Sequence, residues 1–506
     1  MVMTHPGLPD YLVYLNWVFM FLVSAWALYT RVPEKAVHKC IQLNRVPVLG
    51  GVVRFLNRSP WPLLLIKIVI VAVFITIIYA GLQGTPVPER NLATVLTWNL
   101  WWAGLIIAIF FLGSAWCAVC PWDAIATWLV RRRLWKRAGS NNSLNLKVPG
   151  WLRNVWPALL MFMALSWFEL GAGVTVDPYA TAMLSLAMVV MATVSLAIFE
   201  NKAFCRYFCP VGRTVGFYSQ LAPVELRPID KAVCADCETL ECYHGSDLVE
   251  PCPTSLVIGT LTQNTFCTSC GNCVQSCPEK NVSWNLRPQS VEVKQDARPH
   301  WDEAWFMLGL LALTSFHGIT MLPFWFDSMS QLGGWIGDSG RLLFTFSAGM
   351  LLVILVPAGI YSLSAYWSYK WSGEVNHYRQ VFSTLAFALL PLAFSYHIAH
   401  NLNHLVREPA DWLSLFKNPL GAGMQPLSMD GKHERYMNMI VSQDTLSWIQ
   451  AGLMLFGFWL AIQVVRYRGF AMYSETRLWV LPVIVFAVMM HGFNLWLMAQ
   501  PMTMRM

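Results

Sequence analysis

The chain has 506 residues, 56% of them hydrophobic and only 12% charged, with a formal net charge of +7. Soluble globular proteins carry about 25% charged residues, so the composition excludes an ordinary soluble enzyme and indicates a polytopic membrane protein. The positive balance fits membrane topology and anionic lipid. A nucleic-acid partner would need a soluble basic face interleaved with aromatics, and none is legible.

Apolar windows of about 20 residues, the length that crosses a bilayer, fall near 11–30, 61–82, 92–114, 155–173 and 180–200. They recur near 303–325, 341–366, 379–405, 444–466 and 477–499. The pattern predicts an α-helical fold of about ten spans. Two five-span halves, 1–200 and 301–506, would flank an inserted polar domain over 201–300. Lys and Arg concentrate in 31–60, 117–153, 201–300, 367–379 and 466–477, with the run RRRLWKR at 131–137 the densest. The positive-inside rule then predicts a cytoplasmic inserted domain and both termini outside the inner membrane. The first span has neither a basic stretch before it nor a small-residue cleavage site after it, and reads as an anchor.

Cys40, in the first basic loop, has no partner motif and reads as an ordinary thiol. The third span ends in GSAWCAVCPWD (Cys117, Cys120) and the fifth in FCRYFCPVGR (Cys205, Cys209). On this topology both Cys–Pro motifs lie at cytoplasmic span ends. Four thiolates there can hold a third [4Fe–4S] cluster or form redox thiol pairs; lone structural cysteines are the plainer alternative.

The inserted domain carries the strongest signal. FCTSCGNCVQSCPEK places Cys267, Cys270, Cys273 and Cys277 in the C-x₂-C-x₂-C-x₃-C-P spacing of a bacterial ferredoxin, whose last cysteine ligates the other cluster. A looser set stands upstream: Cys234, Cys237, Cys242 and Cys252. The expected ligand sets are Cys234, Cys237, Cys242 and Cys277 for one [4Fe–4S] cluster, and Cys252, Cys267, Cys270 and Cys273 for the other. A zinc ribbon would pair two C-x₂-C knuckles without C-P endings, and disulfides fit poorly on a reducing face. A small α+β ferredoxin-like unit with two clusters is therefore expected.

Paired Cys–Pro motifs at span ends, followed by a two-cluster ferredoxin stretch, resemble the NapH/NosR type of membrane polyferredoxin over roughly residues 60–290. The resemblance implies two [4Fe–4S] clusters, a redox role for Cys117, Cys120, Cys205 and Cys209, and quinol-linked electron transfer to other redox subunits. A related group supplies electrons for metal-centre maturation. The chain departs from the family in its one-residue-short first motif, in having no flavin-attachment motif or outer flavin domain, and in its additional C-terminal five-span half.

That half carries histidines where a span tolerates them poorly. His397, His400 and His404 share one span and broadly one helix face; His317 and His491 lie in two others. All five are expected in the outer half of the membrane. Three readings compete with satisfied core histidines: axial ligands of a b-type haem, a quinone or proton site, and copper or another metal. The economical haem pairs join His397 or His404 to His317 or His491. Glu169 is an intramembrane acid, for proton movement or for the outer interface. The 25 tryptophans, Trp61, Trp98, Trp101 and Trp102 among them, read mostly as interfacial anchors, and the 24 methionines as packing, with copper binding the alternative.

No Walker A run, dinucleotide-binding glycine fingerprint or nucleophile elbow occurs. The expected function is electron transfer between a cytoplasmic [4Fe–4S] relay and a quinone or haem site in the outer half of the membrane, as the quinol-oxidising component of a respiratory complex. The alternatives are a reductase for metal-centre maturation or repair, and a membrane anchor carrying clusters for a soluble redox subunit.

Overall fold

The structure, a computed structural model, describes residues 4–30, 39–131, 142–375, 377–407, 412–473 and 477–503. All but the first arginine of the basic run 131–137 lies outside the described residues. Among the described residues, eight helices are long and apolar enough to cross a membrane, or nine if one bent pair is a single span. The candidate spans are Asp10–Tyr29, Trp61–Gln83, Leu92–Leu112, Pro178–Ile198, Leu343–Trp371, Tyr378–Arg407, Gln443–Met472 and Leu478–Ala499.

Two of the ten predicted windows take other forms. Window 155–173 becomes Trp156–Leu170, a helix of 15 residues, about 22 Å long against a hydrocarbon core of about 30 Å. Window 303–325 is helical as Trp301–Ile319, after which the chain bends by 94° into Pro323–Ile336. Pro323 opens the second helix, where its missing N–H costs nothing. Hydropathy alone does not register either event, because the residues stay apolar through the break.

Local sequence explains where the spans begin. Asn91 Oδ1 accepts from Ala93 N at 2.9 Å, Asp177 Oδ1 from Ala180 N at 3.1 Å, and Ser442 Oγ from Thr445 N at 3.3 Å. Each caps otherwise unsatisfied N–H groups at a helix start. Leu92–Leu112 contains a wider π turn over Val95–Trp101 and stops at Gly113, whose φ of +59° favours glycine.

The helix Leu389–Arg407 is central. Its apolar stretch is wholly buried, and it packs against Gln443–Met472, Trp301–Ile319, Trp102–Leu112 and Leu481–Ala499. The outer helices instead turn large apolar side chains outward, among them Phe21, Leu22, Val69, Leu352 and Leu355, as a lipid-facing surface requires. Thr4–His5 pairs antiparallel with Met502–Thr503, so both described ends lie at one side of the bundle.

The cysteine-rich segment forms a compact unit on a three-stranded antiparallel sheet in the order Ile41–Gln42, Val282–Leu286, Val224–Pro228. The first strand comes from the basic loop before the second span. The polar domain read as 201–300 thus borrows a strand from the N-terminal half, which periodicity cannot reveal in a pair of residues. Buried polar links join the unit to the spans, where Arg468 Nη1 donates to Ala297 O at 3.0 Å and Nη2 to Glu292 O at 3.2 Å, while inside the unit Arg287 pairs with Glu225 at 3.2 Å and with Glu292.

Candidate iron–sulfur sites and a histidine cluster

The two Cys–Pro turns share one construction. Cys120 precedes the helix Pro121–Arg131 and Cys209 precedes Pro210–Tyr218, with proline at the first helical position. A sulfur there faces the positive end of the helix dipole. Gly212 N donates to Cys209 Sγ at 3.2 Å. The four thiols of these turns are gathered: the charge of Cys209 acts on Cys117, Cys120 and Cys205, and Cys120 acts on Cys205. Burial pushes Cys117 up to about 12, and Cys120 and Cys205 well up.

The ferredoxin-like cysteines form two further groups. Cys242 feels Cys234, Cys237 and Cys277, whereas Cys273 feels Cys270, Cys267 and Cys252. The groups adjoin, because Cys273 also feels Cys242; Cys117 in turn feels Cys267. The order in space is therefore Cys117/Cys120/Cys205/Cys209, then Cys252/Cys267/Cys270/Cys273, then Cys234/Cys237/Cys242/Cys277. Burial raises Cys267 to about 12, while hydrogen bonds from Leu240 and Thr239 lower the half-buried Cys237.

The residues present fit iron–sulfur clusters. All twelve cysteines of these groups are free thiols. Backbone N–H groups of Leu256 and Asn281 donate to Cys252 Sγ and Cys277 Sγ, each at 3.3 Å. The unit's own apolar core is small, Leu226, Ile258 and Val282, with Cys242, Cys267, Cys273 and Cys277 packed around it. A core that small leaves the cysteine-rich part dependent on its packing against the spans and on metal between its thiols. Buried thiols with raised pKa values ionise only if cations compensate them, which a metal cluster does. Cys40 stands apart, exposed, with its thiol 3.7 Å from Glu225 Oε1.

Arg213 lies between the first two groups. Its Nη1 donates to Thr265 O at 2.7 Å and its Nη2 to Cys205 O at 2.9 Å, while the guanidinium covers the Phe266 ring at 4.5 Å. The side chain is 2% exposed. Gly216 permits the same contact one turn later: a Cβ there would stand 2.0 Å from Thr265 O. Ser114 Oγ meets Ser269 Oγ at 2.8 Å, and Lys202 pairs with Asp123 at 2.5 Å. Neither Arg213 nor Gly216 carried a sequence signal beyond its nearness to the Cys–Pro motif.

The histidines divide. His317, His400 and His404 come together, each with a ring nitrogen within 4.8 Å of the other two. Their rings meet edge to face, His317 and His400 at 5.0 Å and His400 and His404 at 5.6 Å. Glu169 Oε1 lies 3.6 Å from His317 Nδ1. His397 turns elsewhere: its Nδ1 is 3.3 Å from Tyr218 OH, and its ring is 5.7 Å from that of Trp102. His491 is fully buried against Phe458, at 5.2 Å. Trp102 adjoins Trp101, which touches both Trp116 and Trp122, so these rings make an aromatic wall beside the Cys117–Cys120 turn.

Comparison with known proteins bears on the span-end cysteines. A family described as "4Fe-4S binding domain" matches residues 94–138 and 181–222, and each segment contains one of the two Cys–Pro turns. A protein of Escherichia coli (strain K12) named as a candidate electron transport protein, YccM, is 28% identical over 31% of this chain and 44% of its own length. The ferredoxin-type protein NapH of Haemophilus influenzae is 28% identical over 36% of this chain and 67% of its own. An uncharacterized protein of Methanocaldococcus jannaschii is 22% identical over 46% of this chain and 87% of its own. No solved structure matches. The chain thus spans less than half of the first of these relatives. With its apolar helices and its 4Fe-4S binding domain, the chain fits the membrane polyferredoxins, a class with NapH and YccM as relatives.

Proposed function

We propose that the chain moves electrons between an iron–sulfur relay on the cytoplasmic face of the inner membrane and a site in the outer half of the bilayer. In this reading it is the quinol-oxidising component of a respiratory redox complex, working with other redox subunits. The observation that carries the reading is the sorting of twelve thiols into three adjoining groups of four. Cys234, Cys237, Cys242 and Cys277 would hold one [4Fe–4S] cluster, Cys252, Cys267, Cys270 and Cys273 a second, and Cys117, Cys120, Cys205 and Cys209 a third. Bound there, the clusters supply one-electron carriers. The match of a 4Fe-4S binding family to both span-end segments supports the third set.

The chain's own residues do the rest. Arg213 offers compensating positive charge between two of the groups. The helix Pro210–Tyr218 runs from Cys209 to Tyr218, whose hydroxyl meets His397 on the central span. Burial of that span excludes water along the route, which keeps the interactions there strong. His317 and His404, on facing helices, would carry a haem reading for the outer site. His400 brings a third ring nitrogen within 4.8 Å of both, and three converging imidazoles suit a metal ion better than the two axial ligands of a haem.

The test uses anaerobically purified full-length protein mixed with a reduced quinone analogue, following iron–sulfur absorbance. Quinol-dependent bleaching that disappears in Cys117→Ser is expected. Clusters that dithionite reduces but quinol does not would sink the reading and favour the maturation reductase.

A further inference from the structure

We infer that His317, His400 and His404 form a mononuclear site for a first-row transition-metal ion within the helix bundle, with Glu169 orienting His317 from behind. Imidazoles four residues apart on one helix, as His400 and His404 are, project from the same face one turn apart. The third comes from the facing helix Trp301–Ile319, and all three ring nitrogens lie within 4.8 Å of one another. One ion between them needs only a small contraction to reach metal–nitrogen distances of about 2.0–2.1 Å.

Glu169 gives this grouping a direction. Its carboxylate lies 3.6 Å from Nδ1 of His317, an ion-pair distance just beyond hydrogen-bond range, and the contraction that closes the imidazoles on an ion would bring the two together. A carboxylate at one ring nitrogen fixes the tautomer and leaves the other nitrogen as a ligand, as in carboxylate–histidine–metal arrangements. It also brings negative charge to a place where a divalent cation on neutral imidazoles would otherwise stand uncompensated in a low-dielectric setting. Glu169 is itself 9% exposed and His400 is 3% exposed, so both groups are shielded from solvent. Three imidazoles suit zinc, copper, iron or nickel better than magnesium or calcium. Three protein ligands leave a position open for a small molecule or a water.

The remaining histidines of the bundle sharpen the assignment. His397 is engaged by Tyr218 and His491 by Phe458, so neither belongs to the group. His5, on the terminal two-stranded ribbon, is buried and within electrostatic reach of His404. The ribbon therefore lies on the His404 side of the group.

The experiment is Cu²⁺ binding to full-length, chelator-treated protein, read by electron paramagnetic resonance with the clusters in their oxidised, silent state. The expected result is one tightly held Cu²⁺ per chain with nitrogen superhyperfine structure. His400→Ala and His404→Ala should abolish that signal, and His491→Phe should leave it. Glu169→Gln should keep the nitrogen pattern while weakening affinity roughly 10–100-fold. Iron–sulfur absorbance is recorded for every variant as the check on folding. An alanine variant that loses that absorbance is replaced by His404→Gln, to which the same expectation applies. Copper held equally by wild type and by folded His404 variants, or not held stoichiometrically by wild type, would overturn the site. The readout is independent of quinol oxidation, so the two readings can fail separately.

Discussion

The hydroxyl of Tyr218 lies 3.3 Å from Nδ1 of His397, and both side chains are buried. Tyr218 ends the helix that Cys209 begins, and His397 sits one turn before His400 on the central span. One short helix and one hydrogen-bonding contact thus join the span-end thiols to the histidine-bearing span. Tyr218→Phe removes only the hydroxyl. It should cost about 1 kcal/mol of stability, leave iron content unchanged and slow electron movement between the clusters and the bundle. Stopped-flow reduction with matched iron analysis checks it; an unchanged rate would remove Tyr218 from the route.

The partition of ligands makes a sharper prediction. Cys277 follows the C-x₂-C-x₂-C run directly in sequence but groups with Cys234, Cys237 and Cys242 in space. Cys277→Ser should therefore lose the same paramagnetic signal as Cys234→Ser. Cys252→Ser should instead match Cys273→Ser, and Cys117→Ser should match Cys209→Ser. Each variant should lose one cluster's share of iron and sulfide. A Cys277→Ser spectrum matching Cys273→Ser would break the assignment.

Arg213 presents a buried positive charge to Cys117, Cys205 and Cys209. Added electrons make a cluster more negative, so a nearby cation favours reduction. Arg213→Met should lower the midpoint potential of the span-end cluster, and Arg213→Lys should restore part of it. Two carbonyls, Thr265 O and Cys205 O, also lose their donor, at about 1–3 kcal/mol of stability. Redox titration followed by thermal loss of cluster absorbance separates the two effects.

Gly216 tests the seam between span ends and ferredoxin-like unit. A methyl there meets Thr265 O, a backbone atom that cannot swing aside. Gly216→Ala should cost about 1–3 kcal/mol and release cluster iron at lower temperature. Gly104→Ala, where a Cβ meets nothing within 4 Å, serves as the control. Equal thermal midpoints for the two variants would mean that the seam yields.

What the sequence disclosed follows from how each feature is encoded. Long apolar windows and closely spaced cysteines are local patterns, so eight of the ten predicted windows and the cysteine motifs could be read directly. The Cys–Pro turns were legible because proline at a helix start and sulfur beside it are neighbours in the chain. The bend after Ile319 and the short helix Trp156–Leu170 were not, since hydropathy does not change where the backbone turns. The histidines show the limit most clearly. Spacing placed His397, His400 and His404 on one face, yet only tertiary packing decides that His400 and His404 meet His317 while His397 meets Tyr218. Arg213 and Arg468 look like ordinary topology-setting cations in sequence; buried carbonyl partners far along the chain make them structural.

The strand Ile41–Gln42 carries a consequence for biogenesis. It pairs with Val282–Leu286, and the second through fifth predicted windows are translated between them. The ribosome therefore releases the edge of the sheet long before the strand it pairs with. Those first windows have to be inserted, and the early loop kept accessible on the same face, before the sheet can close. Iron delivered by the assembly machinery thus meets a finished pocket only after the first five windows have emerged, which ties cofactor loading to membrane insertion in time.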